Sequence, residues 1–98
     1  MNINNVNNDI IELIRIVPEV AASKVHYEGK HYIVLHIERR WALSTRELDF
    51  LYCVEDESIE GSLLEFGEDI PLDSDDKAYL RFWVKENWEN LQDVISKE

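Results

Sequence analysis

The side chains able to do chemistry in this chain are carboxylates, three histidines and one cysteine. The carboxylates dominate: 21 Asp and Glu stand against 10 Lys and Arg, a formal charge of −11. They crowd into "CVEDESIEGSLLEFGEDIPLDSDD", from Cys53 to Asp76. That stretch holds Glu55, Asp56, Glu57, Glu60, Glu65, Glu68, Asp69, Asp73, Asp75 and Asp76, with no Lys, Arg or His. The cation-free run reaches back to Glu47. Calcium binding is the first chemistry to test. From Asp73, "DSDDKA" has carboxylates at loop positions 1, 3 and 4, but Lys77 occupies position 5 and position 6 lacks glycine. The segment reads better as a helix N-terminus, where Asp75 and Asp76 face the positive end of the helix dipole.

If Glu28-Gly29 is a hairpin turn, His26 and His31 oppose each other, with Cβ atoms about 4.5–5.5 Å apart. A shared zinc or copper ion would still need further ligands. The simpler reading is a partly exposed pair, with His36 on the other face, hydrogen-bonded in the sheet. Cys53 is followed by Glu55, Asp56 and Glu57, whose charge disfavours a thiolate. A buried structural cysteine is expected. No phosphate-binding glycine loop or nucleophile elbow is present, and three glycines leave little material for one. No pair of carboxylates is marked out for acid–base work. The reading is a non-enzymatic protein without metal or cofactor.

The charge is lopsided. Residues 1–50 carry seven acids and six Lys/Arg, net −1; residues 51–98 carry fourteen and four, net −10. This argues against direct contact with nucleic acid or an anionic membrane, both of which require cationic surface. The sole basic concentration, Arg39-Arg40-Trp41 with Arg46 nearby, is expected to pair with the acidic loop inside the domain. A single cysteine, no secretory signal pattern and no apolar run near 20 residues fit a soluble cytoplasmic protein.

Size and an apolar fraction of 45% suit one domain spanning residues 1–98, with residues 1–8 frayed or Ile3 and Val6 in a short strand. Ile10, Leu13, Ile14 and Val17 recur at helical spacing, with Asn8 or Asp9 as cap and Pro18 as terminator, although the β-branched content leaves a strand open. A hairpin is expected over about 23–38. Its second strand is apolar on both faces in its middle, as in a central strand covered on both sides or covered on one and shielded by aromatics on the other, and is expected to continue through "RRWAL". Ser44 and Glu47 have capping-box spacing, which predicts a helix carrying Leu48, Leu51 and Tyr52. A third strand is expected over about 62–66 and a loop at "EDIPL". A long terminal helix, about 75–96, is capped by Asp73 or Ser74 and striped by Leu80, Val84, Trp88, Leu91 and Ile95. The fold class is α+β: a small antiparallel sheet against two or three helices, the longest at the C-terminus.

Two functions fit. One is an inhibitor that offers its carboxylates to a protein with a basic, nucleic-acid-binding surface. Immunity proteins, antitoxins and phage inhibitors of restriction or CRISPR systems share this size and charge, though no motif links them to this chain. The contacts would be the ten carboxylates from Glu55 to Asp76, with Tyr79 and Phe82 as anchors if their helix face is exposed rather than buried. The other is a subunit, adaptor or homodimer joined through an apolar face, the acidity serving solubility.

Overall fold

A computed structural model describes residues 3–15, 19–41 and 44–96. After a 3-10 turn at Ile3–Asn5 come helix α1 (Asn8–Arg15), strands β1 (Glu19–Tyr27), β2 (Lys30–Trp41), β3 (Ser44–Cys53), β4 (Ile59–Glu65) and β5 (Glu68–Pro71), then helices α2 (Ser74–Glu86) and α3 (Trp88–Ser96). The strands pair in chain order as one antiparallel five-stranded sheet. Among the described residues no helix is long and apolar enough to cross a membrane.

The β1–β2 hairpin turns at Glu28-Gly29, as the sequence predicts, with φ of 50° and 81°. Two successive positive φ values match the right-handed twist of the strands. Phe66-Gly67 turns β4 into β5 in the same way, at 53° and 78°. β4 contains the third strand and begins a few residues earlier than expected. "EDIP", expected as loop, is the edge strand β5. It is short, acidic and ends in proline, all of which discourage pairing with another chain.

The larger correction lies at residues 44–53, which form a strand, not a capped helix. Leu48, Phe50 and Tyr52 are buried, while Asp49 and Leu51 are exposed and Glu47 is half-buried. This is the alternation of a strand with one covered face. The apolar residues are dense enough to satisfy helical spacing too. Tertiary demand decides between them: β2 is central and needs a partner on each edge to satisfy its backbone. β3 occupies one edge from Tyr32↔Cys53 to Trp41↔Ser44.

The terminal helix is broken in two. Asn87 donates from both its backbone N–H (3.0 Å) and its side-chain Nδ2 (2.9 Å) to Trp83 O. Side-chain competition for a helical carbonyl is how Asn interrupts helices. Leu80, Val84 and Leu91 of the stripe are still buried, with Trp88 and Ile95 packed alongside. Asp73 caps α2 in a full capping box with Asp76. α1 is capped one residue earlier than expected, Asn7 Oδ1 accepting from Asp9 N–H at 2.9 Å. Its Ile10, Leu13 and Ile14 are buried; Val17 and Pro18 lie outside the described residues. The segment expected to fray or pair as a strand buries Val6 and donates Asn7 N–H to Asp76 Oδ1 at 2.9 Å.

All three helices contribute to one core against a single face of the sheet, built from Ala22, Ile33, Leu35, Ile37, Leu48, Phe50, Tyr52, Ile59 and Leu63. Gly61 lies opposite Phe50 in that face. A Cβ there would fall inside the contact distance of Asp49 O and of Phe50 Cα and Cβ. Gly61→Ala is therefore expected to destabilise the fold by about 1–3 kcal/mol, read as a lower urea midpoint. An unchanged midpoint would contradict this strand approach.

Candidate functional site on the open sheet face

Strand alternation sends the remaining side chains to the face away from the helices. On β1 these include Ser23, Val25 and Tyr27; on β2, Tyr32, Val34, His36 and Glu38; on β3, Glu47, Asp49 and Leu51; on β4, Glu60, Ser62 and Leu64; on β5, Asp69. None of them is buried. The face has two halves. Val25, Tyr27, Tyr32, Val34 and Leu51 line a shallow depression of about 400 Å³. Val25, Tyr27 and Leu51 are 43%, 61% and 41% exposed, more than a half-covered sheet needs to leave open.

The polar half centres on His36. Its Nδ1 lies 2.5 Å from Asp49 Oδ1 and its Nε2 3.4 Å from Glu38 Oε2. The Asp49 hydrogen bond holds the imidazole pKa above its usual value, against a smaller opposing effect of burial. Glu47 sits directly across from Glu38. Ligand atoms of His36, Glu47 and Asp49 lie within 4.8 Å of one another. Along the sheet, Glu60 stands opposite Leu51, and Asp69 opposite Leu64. Carboxylates thus share this face with the apolar group.

The ten carboxylates of 55–76 expected as partner contacts are distributed over several parts of the fold. Glu55 accepts from His31 Nδ1 at 2.6 Å and from His31 N–H at 3.0 Å, which lowers its pKa to about 2. Asp56 pairs with Lys30 at 2.6 Å and is held below the ordinary carboxylate range by it. Glu57 pairs with Lys85 while its carbonyl accepts from Arg81 Nε at 2.6 Å. Glu60 pairs with Lys77 at 3.2 Å, and Glu65 with Arg46 at 3.1 Å. Burial pushes the Glu65 pKa up against the pull of Arg46. Asp73 and Asp76 are spent on the α2 cap, where a calcium loop was weighed, and Asp76 is buried. Glu68, Asp69 and Asp75 have no ion pair among the described residues. Cations distant in sequence thus neutralise much of a run that has none of its own.

Arg46 reaches the acidic segment through Glu65, as expected, and also lies 3.4 Å from Asp9 and 3.8 Å from Glu12 of α1, which the sequence did not suggest. Cys53 is buried, its Sγ 3.8 Å from Glu55 Oε2 and 3.7 Å from Asp56 Oδ2, an environment that suits a thiol. His26 and His31 do face each other, stacked with centroids 4.5 Å apart. Tyr79 packs against the core, whereas Phe82 is 53% exposed. Phe82 belongs to the helical layer and cannot share a flat contact with the open sheet face.

The sequence reading missed Glu38, Glu47, Asp49, Tyr27, Tyr32, Val34 and Leu51 as a group. The signal was present in "ELDFLYC", whose alternate residues 47, 49 and 51 share a face once it is read as a strand. Comparison with protein-family models, curated proteins and solved structures gave no match.

The low pKa of Glu55 has a pH consequence. Its folded value is depressed, so its contribution is complete above the unfolded value of about 4.5 and is lost as pH falls through about 2. Glu55→Gln is expected to flatten the acid-induced loss of stability across that window. The check is a set of urea midpoints for both proteins between about pH 5 and 2; parallel curves would contradict the His31 contact.

Proposed function

We propose that this chain is a small, acidic, non-enzymatic cytoplasmic protein that binds and inhibits a protein with a basic, nucleic-acid-binding surface. The partner class is that met by immunity proteins, antitoxins and phage anti-defence inhibitors. The observation that carries the reading is the open sheet face, where exposed Leu51 and half-buried Tyr32 and Val34 adjoin Asp49 and Glu60, with Glu47 and Asp69 further along the same face. An apolar centre with a charged margin is the usual anatomy of a protein interface. A net charge of −11 favours a cationic partner and speeds encounter with it. Carboxylates in the channel of such a partner occupy the place of phosphates, which makes binding salt-dependent.

The contacts proposed here differ from the whole acidic run. Asp69 of that run lies on the open face, with Glu47 and Asp49 on the same face, and Glu60, though paired with Lys77 of α2, keeps a side chain 74% exposed. Glu68 and Asp75 extend the anionic margin. Glu55, Asp56, Glu57, Glu65, Asp73 and Asp76 serve mainly inside the domain, through the ion pairs and cap described above.

The depression between Val25, Tyr27, Tyr32, Val34 and Leu51 favours a second reading, a subunit or homodimer contact through apolar surface. Salt separates the two. The experiment is a pull-down from source and host lysates at about 0.1 M and then 1 M salt, a range spanning weak and strong screening. It is run with the natural chain and with a Glu47→Lys, Asp49→Lys, Asp69→Lys variant. The expected result is a basic nucleic-acid-binding protein that is released at high salt and not captured by the folded variant. Retention at high salt, or capture of further copies alone, would establish the subunit reading. A folded variant that binds the basic partner as tightly as the natural chain would sink the proposal.

A further inference from the structure

Four metal-donor side chains meet on the two central paired strands, apart from the stacked histidines of the hairpin. His36 lies opposite Asp49, and Glu38 opposite Glu47. Both nitrogens of the His36 ring face carboxylate oxygens, at 2.5 Å and 3.4 Å. We propose that His36, Glu47 and Asp49 form a binding site for a divalent transition-metal ion of the zinc type, with water completing its coordination.

The donor set argues for that class. One imidazole nitrogen with two carboxylate oxygens suits zinc and its neighbours, whereas calcium and magnesium prefer oxygen alone. The geometry is close to what an ion requires. Ligands each about 2.0–2.2 Å from a tetrahedral zinc lie about 3.3–3.6 Å apart. The three donor groups already lie within 4.8 Å of one another, so small side-chain rotations close the site. The backbone needs no movement, because β2 and β3 are paired on both of their edges. Entry is open: the His36 and Asp49 side chains are 38% and 55% exposed.

The hairpin pair is the competing site. Among the described residues, His36, Glu47 and Asp49 gather as a group of three donors within ligating range of one another, which the hairpin pair and its neighbours do not. The inference is independent of any protein partner, because it is tested with the ion alone.

The experiment titrates zinc sulfate into the full metal-free chain, followed by amide and imidazole nitrogen NMR. The expected result is saturable binding of one ion per chain, with shifts centred on His36, Glu47 and Asp49. His36→Gln and Asp49→Asn should each weaken it by about tenfold or more, while a His26→Gln, His31→Gln double variant should bind as the natural chain does. Shifts centred on His26 and His31 would overturn the proposal. So would non-saturating shifts scattered over the carboxylates, or unchanged affinity in either folded single variant. Should His36→Gln lose its spectral dispersion, Asp49→Asn and Glu47→Gln carry the same test at exposed or half-buried positions.

Discussion

Between Tyr32↔Cys53 and Trp41↔Ser44, β2 and β3 run paired along nearly their whole lengths, and their register assigns every other side chain of the sheet to a face. A slip of one residue would exchange Ile33, Leu35 and Ile37 with Tyr32, Val34 and His36. The first set is fully buried under the helices, and the second is half-exposed. Burial of the first set therefore fixes the second. The open face is a consequence of packing the other one, and the positions of Glu47, Asp49 and Leu51 follow from where Leu48, Phe50 and Tyr52 must be. β4 and β1 flank this pair and inherit the same alternation.

The acidic composition is handled by distance in sequence. Lys30, His31, Arg46, Lys77 and Lys85 reach carboxylates of residues 55–65 from β2, β3 and α2. Most of these pairs are solvent-exposed, where each contributes about 0–1 kcal/mol. Their effect is chiefly to orient the β3–β4 connection and to reduce self-repulsion. Arg46 and Glu65 are the exception, with side chains only 17% and 10% exposed. There the charges are mutually required, since losing one leaves the other poorly solvated. Asp76 plays a comparable part at the other end of the fold. Its carboxylate closes the capping box of α2 and also accepts from Asn7, so one buried acid joins the N-terminal segment to α2.

These internal uses separate structural acids from available ones. Glu68, Asp69 and Asp75 are left at the sheet edge and the start of α2, and Glu47 and Asp49 lie on the open face. The apolar group next to them is not a leftover of an unfinished core, since the core on the covered face already contains sixteen buried residues, enough to hold the helices. An open face bearing both kinds of side chain provides hydrophobic contact and charge selectivity at one place. That combination underlies the proposed partner contact, and its polar half contains the donor set around His36.

Local patterns were sufficient wherever one interaction of short range decided the outcome. The sequence alone determined the Glu28-Gly29 turn, because only a tight positive-φ turn joins those strands, and with it the facing of His26 and His31. It determined the Asp73 cap, the helical stripe from Leu80 to Leu91, the structural role of Cys53 and the α+β class. It did not determine β3. "ELDFLYC" satisfies both helical and strand spacing, and the unpaired edge of β2, a requirement set elsewhere in the chain, selects the strand. The break at Asn87 was hidden for a related reason, since the apolar stripe continues across it. The cationic partners of the acidic run were equally out of reach, for they arrive from residues up to 28 positions away, as Lys85 does to Glu57. Alternation and turn chemistry are written in neighbouring residues, whereas edge pairing and charge pairing are settled only when distant segments meet.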